Sequence, residues 1–316
     1  MGQLLMRTAI GLGVLALILF GALWLLTSLV IHFTPNHHRL TSAEFDHIAA
    51  EAGGEIDKVH LASSDGVRTV AWYLPARAAL GSERWGVILT HGGGDSKTFY
   101  LPLAEQLRAD GFDVMLPDLR GHGESAPSPK GVTLGITEGR DVAANAAFLA
   151  DRKGVRHIAA GGVSMGGVAT VMGAAQDQRI GPLIIESSSH QAQTVFDFIL
   201  ANFRVPPGGT RWGMARAITS FGLWRMGADW PDVRQGVLPT WRLARSLAPR
   251  PVIFLFGDKD PFVNEAAVRV FAARFSGRSE IVIFKDTGHG VYPKHPQQFT
   301  NDVLGFLNAW RAGQSA

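Results

Sequence analysis

The residues best suited to chemistry lie far apart in the chain: Ser164, an aspartate at 258 or 260, and His289. A serine hydroxyl is a weak nucleophile at neutral pH, so a neutral imidazole has to accept its proton and a carboxylate has to hold that imidazole in the right tautomer. Ser164 stands in Gly161-Gly162-Val163-Ser164-Met165-Gly166-Gly167. An apolar run, His157 to Ala160, precedes this stretch, and a small-residue segment, Val168 to Ala175, follows it. Strand, Gly-x-Ser-x-Gly, helix is the context that sets a serine on a tight turn. Glycines at 162 and 166 take away the Cβ atoms that would collide there. A helix opening at Met165 also aims its free N–H groups, Met165 first, at the place where an oxyanion would form.

The acid and the base are read from the strands ahead of them. Val252 to Phe256 is a buried-strand pattern ending in Gly257-Asp258-Lys259-Asp260-Pro261, and Ile281 to Phe284 is another, ending in Asp286-Thr287-Gly288-His289-Gly290. Serine, acid and histidine therefore each follow a predicted strand, and loops at the carboxyl ends of parallel strands converge on one crevice. Asp258 can instead bond its own turn, as Asp does in such clusters. Glu186, at the end of the preceding strand and followed by Ser187-Ser188-Ser189, is a further carboxylate in reach. His91, His122 and His190 are the competing imidazoles.

These motifs resemble the α/β-hydrolases, in the serine esterase, lysophospholipase-like and serine-aminopeptidase-like branch with its G-x-S-M-G-G turn. The likeness runs from about Glu55 to Trp310. It includes Thr90-His91-Gly92-Gly93-Gly94 after one strand and Asp118-Leu119-Arg120-Gly121-His122-Gly123-Glu124-Ser125 after the next. The resemblance implies a Ser164, Asp260, His289 triad, because Gly257, Asp260 and Val263 match the family's G-x-x-D-x-x-V pattern. It also makes Glu186 a rival, since some members supply their acid from that strand. His91 and His122 fall in segments that the family uses for loop architecture. The oxyanion hole it implies pairs the Met165 N–H with one from the glycine run, assigned to Gly93 with Gly92 and Gly94 as alternatives. No cofactor is implied.

The elements that must position these groups follow in order along the 316 residues. Glu55 to Leu61 and Arg68 to Tyr73 read as a hairpin. Trp85 to Thr90, Phe112 to Leu116 and Leu183 to Ile185 read as strands, with helices over Leu101 to Asp110, Gly135 to Lys153, Ala266 to Phe275 and Gln297 to Trp310. Such alternation predicts a mostly parallel sheet between helical layers. The interval from Glu186 to Pro251 is far longer than a crossover needs. The resemblance implies that it is a helical cap, about 188–248, inserted in a hydrolase domain at 55–312. Its aromatics, Trp212 and Trp224 among them, are expected to pack a small core and to offer an acyl chain an apolar wall. The eight arginines from Arg204 to Arg250 are an excess that could meet an anionic head group.

Thr8 to Val30 holds no charged residue. As a helix its 23 residues would rise about 35 Å, enough for a hydrocarbon core of about 30 Å. A cleaved signal peptide has a shorter apolar core and a small-x-small site, which Leu29-Val30-Ile31-His32-Phe33 does not offer. Residues 1–31 are therefore read as an uncleaved single-pass anchor and 32–54 as a linker with a short helix near Ser42 to Ala52. Arg7 ahead of the segment, against Arg39 with Glu44 and Asp46 behind it, puts the hydrolase domain outside the cytoplasm.

Composition closes off other classes. The chain has 46% hydrophobic residues, enough for a sizeable core, and no cysteine, so no disulfide or thiolate metal site. The net charge of +3 comes from dispersed basic residues, which argues against nucleic acid. No H-E-x-x-H, P-loop or strand-linked G-x-G-x-x-G occurs, and the adjacent His37 and His38 read as solvated linker residues. The expected activity is cleavage of carboxylic esters, lipid-like ones near a membrane, through an acyl-enzyme. Thioester or aminoacyl amide cleavage uses the same groups, and a silent fold that only binds a ligand is the alternative of another class.

Overall fold

The computed structural model describes residues 2–32, 41–51, 55–77 and 83–314. His37 and His38, and the Ala52 to Gly54 end of the linker, lie outside them. The chain opens with α1 (Gly2–Ile31) and α2 (Ser42–Glu51). A hairpin follows, β1 (Asp57–Ala62) and β2 (Arg68–Leu74), then β3 (Arg84–Thr90), α3 (Leu101–Ala109), β4 (Phe112–Asp118), α4 (Gly139–Lys153) and β5 (Val155–Val163). Next come α5 (Met165–Gln176) and β6 (Ile180–Glu186), then four helices in succession: α6 (Gln193–Asn202), α7 (Gly209–Met226), α8 (Trp230–Gln235) and α9 (Thr240–Ser246). The chain closes with β7 (Val252–Gly257), α10 (Glu265–Ala272), β8 (Ser279–Phe284) and α11 (Pro296–Gln314).

The eight strands form one sheet in the order β1-β2-β4-β3-β5-β6-β7-β8. The β1/β2 and β2/β4 pairs are antiparallel, and every later pair is parallel. A parallel sheet needs cover on both faces, and the continuous apolar runs of β3, β4, β5 and β7 supply side chains to both. On one face Leu149, Ala169 and Phe271, from α4, α5 and α10, pack with Ile88 and Phe254. On the other, Leu103 and Leu107 of α3 meet Phe299 and Phe306 of α11 over Trp72, Leu89 and Leu255.

One helix starts later than its periodicity predicts. Residues 133–138 form a turn ahead of Gly139, because the buried Glu138 carboxylate accepts from Thr133 N (2.9 Å) and Gly135 N (3.0 Å) while Gly135 sits at φ 96°. Asp and Glu side chains that bond nearby N–H groups compete with helix in this way.

The helices α6 to α9 form the expected insertion after β6, with small cores of their own. The end of α1 belongs to those cores: Ile31 packs with Leu223 and Met226, and Leu23 and Leu26 pack against Phe196 and Ile218. Residues 3–22 of α1 are exposed along their whole length. Over Gln3–Leu29 this helix is long and apolar enough to cross a membrane.

Candidate active site

Ser164 occupies the turn between β5 and α5 with φ 54° and ψ −116°, a backbone conformation that costs a non-glycine residue free energy and persists only where its surroundings impose it. Those surroundings are visible atom by atom. A Cβ on Gly162 would lie 2.0 Å from Thr90 Oγ1, and one on Gly166 would lie 2.5 Å from the His91 carbonyl. The Thr90 hydroxyl bonds the carbonyls of Gly161 (2.9 Å) and Gly166 (3.0 Å), tying β3 across the turn. The Ser164 N–H donates to Glu186 O at 2.9 Å.

Asp260 and His289 come together as the sequence predicts, with Oδ2 to Nδ1 at 2.8 Å. The carboxylate is fully buried, and the ring is about a quarter exposed. The other Asp260 oxygen accepts from Phe262 N (2.8 Å) and Val263 N (3.1 Å), so both oxygens are committed and the group cannot swing away from the ring. The Phe262 ring stands edge-on to the imidazole, centroids 4.8 Å apart. Asp258 serves its turn, taking Thr287 N at 3.4 Å and lying 3.8 Å from the Lys285 ammonium.

Glu186 lies elsewhere in the arrangement. It is fully buried, and Oε1 accepts from the backbone of Val291 (2.5 Å) and Tyr292 (2.8 Å) while the Tyr100 hydroxyl donates to Oε2. Burial pushes its carboxyl above the ordinary glutamate range, against the pull of those three bonds. Beside it Ser187, at φ 44°, receives Gly290 N on its hydroxyl at 3.1 Å. The end of β6 therefore holds Ser164 by its backbone and the loop of His289 by two side chains. Glu186→Gln keeps an oxygen for both N–H groups, so we expect kcat to fall less than tenfold. Glu186→Ala leaves two buried N–H groups unpaired, at about 1–3 kcal/mol each, and is expected to lower Tm by several degrees in a thermal melt.

The glycine run after β3 is fixed by two buried histidines. His91 Nε2 accepts from Leu119 N (3.0 Å) and its Nδ1 faces the Gly92 carbonyl (2.7 Å), which defines a neutral ring. Burial, and secondarily the neighbouring His122, holds its pKa down to about 4. His122 Nε2 accepts from Gly94 N at 3.2 Å. That bond commits the Gly94 N–H, while Gly93 and Met165 line the cavity. As the first residue of α5, Met165 has no carbonyl of its own helix to bond. His190 is stacked on Trp241, 4.2 Å between centroids, and lines a separate cavity.

Ser164, His289, Gly93 and Met165 share the wall of a cavity of about 400 Å³. The rest of that wall is largely aliphatic: Val132, Leu134, Val168, Val195, Ile199 and Leu238, with Phe262. Leu29 of α1 also lines it, a contribution that nothing local in the sequence signals. The tryptophans expected there are absent from this wall. Trp212 lines the neighbouring polar cavity, and Trp224 and Trp230 face outward. Several arginines of the interval are engaged by other groups of the protein, some at its surface: Arg211 with Asp197, Arg242 with Asp229 and Asp232, Arg216 with two carbonyls, Arg250 with Ala174 O, and Arg225 with α1. Among the described residues no cluster of three His, Asp or Glu side chains is placed to hold a metal ion.

A sheet of this order with serine, aspartate and histidine at its carboxyl edge defines a class, and comparison agrees. The chain belongs to the alpha/beta hydrolase family, whose model matches residues 87–303. Its fold is similar to that of the Pyrococcus furiosus esterase Pf2001, with TM-score 0.66 and 19% identity over 88% of this chain and 98% of that one. It is similar also to a bacterial membrane phospholipase A, with TM-score 0.61 and 19% identity over 96% and 99% of the two chains. An esterase from Thermogutta terrifontis aligns with TM-score 0.54 and 21% identity over 80% of this chain and 98% of that one. No curated protein matches it.

Proposed function

We propose that the protein is a serine hydrolase that cleaves carboxylic esters of lipid-like substrates through an acyl-enzyme. In this reading Ser164 attacks, His289 takes and returns the proton, Asp260 holds the imidazole, and the N–H groups of Gly93 and Met165 receive the oxyanion. The observation that carries it is the strained Ser164 turn opening on the same cavity as an imidazole whose Nδ1 lies 2.8 Å from a buried carboxylate. The aliphatic wall suits an acyl chain, and its volume lies within the range of small-molecule sites. The apolar α1 supports a single-pass anchor, with which the likeness to a membrane phospholipase A is in keeping, and the charge bias around it favours a domain outside the cytoplasm. Thioester or amide cleavage would use the same groups.

The test has two parts. A fluorophosphonate probe should label the purified chain at Ser164, which a silent ligand-binding fold would not permit. In a panel of acyl esters, thioesters and aminoacyl amides, medium-chain esters should show about tenfold higher kcat/KM than acetate esters, a difference that one or two extra buried methylenes supply. A preference for acetate would remove the lipid reading, and the absence of labelling would remove the acyl-enzyme.

A further inference from the structure

The cap helix α7 lies beside α1 and runs in the same direction. Ile218 sits in one apolar cluster with Leu23 and Leu26, and the Phe221 ring meets Phe20 edge-on at 5.4 Å. The Arg225 guanidinium bonds Thr27 Oγ1 (2.7 Å) and Ser28 Oγ (2.8 Å), and Met226 is buried with Ile31. Climbing α7 from 218 to 226 therefore climbs α1 from about Leu23 to Ile31.

The same geometry fixes where the start of α7 must be. From Ile218 back to Gly209 the helix descends about 14 Å at 1.5 Å per residue, away from Met226 and Ile31 and toward the side on which residues 3–19 of α1 are exposed. The bilayer has to cover that part. Arg7 and the Arg225 guanidinium, docked at Thr27, bracket 20 helical residues, about the 30 Å of a hydrocarbon core. The turn that joins α6 to α7 thus ends up below the level of Thr27, on the lipid side. The turn and the first residues of α7 carry the surface of an interfacial segment: Phe203 is 65% exposed, Trp212 61% and Met214 41%, with the exposed Arg204 beside Phe203.

We infer that the segment from Phe203 to Met214 dips into the membrane beside the anchor, so that the domain rests on lipid at two places. This inference rests on the reading of α1 as a membrane anchor. It gives α6 a role as well. Val205 and Ile199 pack beside Leu23 and Leu26, and Ile199 and Leu29 line the cavity of Ser164. An acyl chain leaving the bilayer between α1 and α6 meets aliphatic surface from the lipid to the nucleophile.

The chain has no cysteine, so single cysteines can report depth without background. Leu17→Cys, Phe203→Cys, Trp212→Cys and Arg156→Cys, the last at the far end of β5 from Ser164, are labelled with an environment-sensitive fluorophore. The full-length chain is then placed in phosphatidylcholine nanodiscs containing a lipid with a nitroxide high on its acyl chain. Labels at 17, 203 and 212 are expected to be quenched several-fold, and the label at 156 to be unaffected. Quenching at 17 without quenching at 203 and 212 overturns the inference and leaves the anchor standing, whereas no quenching at 17 overturns the anchor itself. As a functional arm, Phe203→Asp combined with Trp212→Asp should lower hydrolysis of a vesicle-borne ester about tenfold and leave a short soluble ester unchanged. Equal loss on both substrates would contradict a membrane role.

Discussion

Ser164→Ala is expected to abolish ester turnover while leaving the fold intact. Loss of the nucleophile in a serine protease costs on the order of 10⁶ in kcat, and the same scale applies if Ser164 is the attacking group. Stability should change little, because alanine keeps the Cβ and meets the same backbone conformation at φ 54°. The measurement is kcat on a chromogenic medium-chain ester beside a thermal melt. A mutant that melts normally and hydrolyses at near wild-type rate would contradict the central assignment.

Asp260→Asn should follow with a loss of about 10⁴ in kcat, the size of the corresponding change in a serine protease. The geometry gives a particular reason. Phe262 N and Val263 N hold one side-chain oxygen, so the asparagine must keep its carbonyl there and turn its amide N–H₂ toward His289. Facing a donor, Nδ1 has to be the unprotonated nitrogen, which places the proton on Nε2 and leaves the ring unable to accept one from serine. Steady-state kinetics of this variant beside Glu186→Gln separates the two carboxylates. If Glu186→Gln lost more activity than Asp260→Asn, the triad acid would belong to β6.

The site was legible in the sequence where the constraint on it is local. Gly162 and Gly166 report a collision with the residues of the adjoining strand, and that collision depends on a few atoms at a known turn. The placement of Asp260 and His289 after β7 and β8 follows from the alternation of strands and helices, which apolar periodicity reveals. The work of Glu186 was hidden. A glutamate closing a strand looks the same whether it meets an imidazole or the backbone of Val291 and Tyr292, and only the fold brings that loop to it. The cap misled for a related reason. Its tryptophans and arginines announce a surface, but composition does not say which way a helix turns its faces. Trp212 and Trp224 are absent from the wall of the Ser164 cavity, and Arg225 reaches a helix some 200 residues earlier in the chain.

The docking of α1 bears on how the protein can be produced in soluble form. Cutting a chain at the end of its N-terminal apolar helix is the usual choice, but here a cut after Ile31 would strip Leu23, Leu26, Thr27, Leu29 and Ile31 from the cap. Leu223, Met226 and Ile218 would be bared, and one side of the cavity would open. A chain beginning near Leu19 would shed only exposed residues and keep the docked end, the Phe20–Phe221 contact included. The boundary of the folded unit, usually drawn where hydropathy falls, belongs in this molecule about three helical turns earlier.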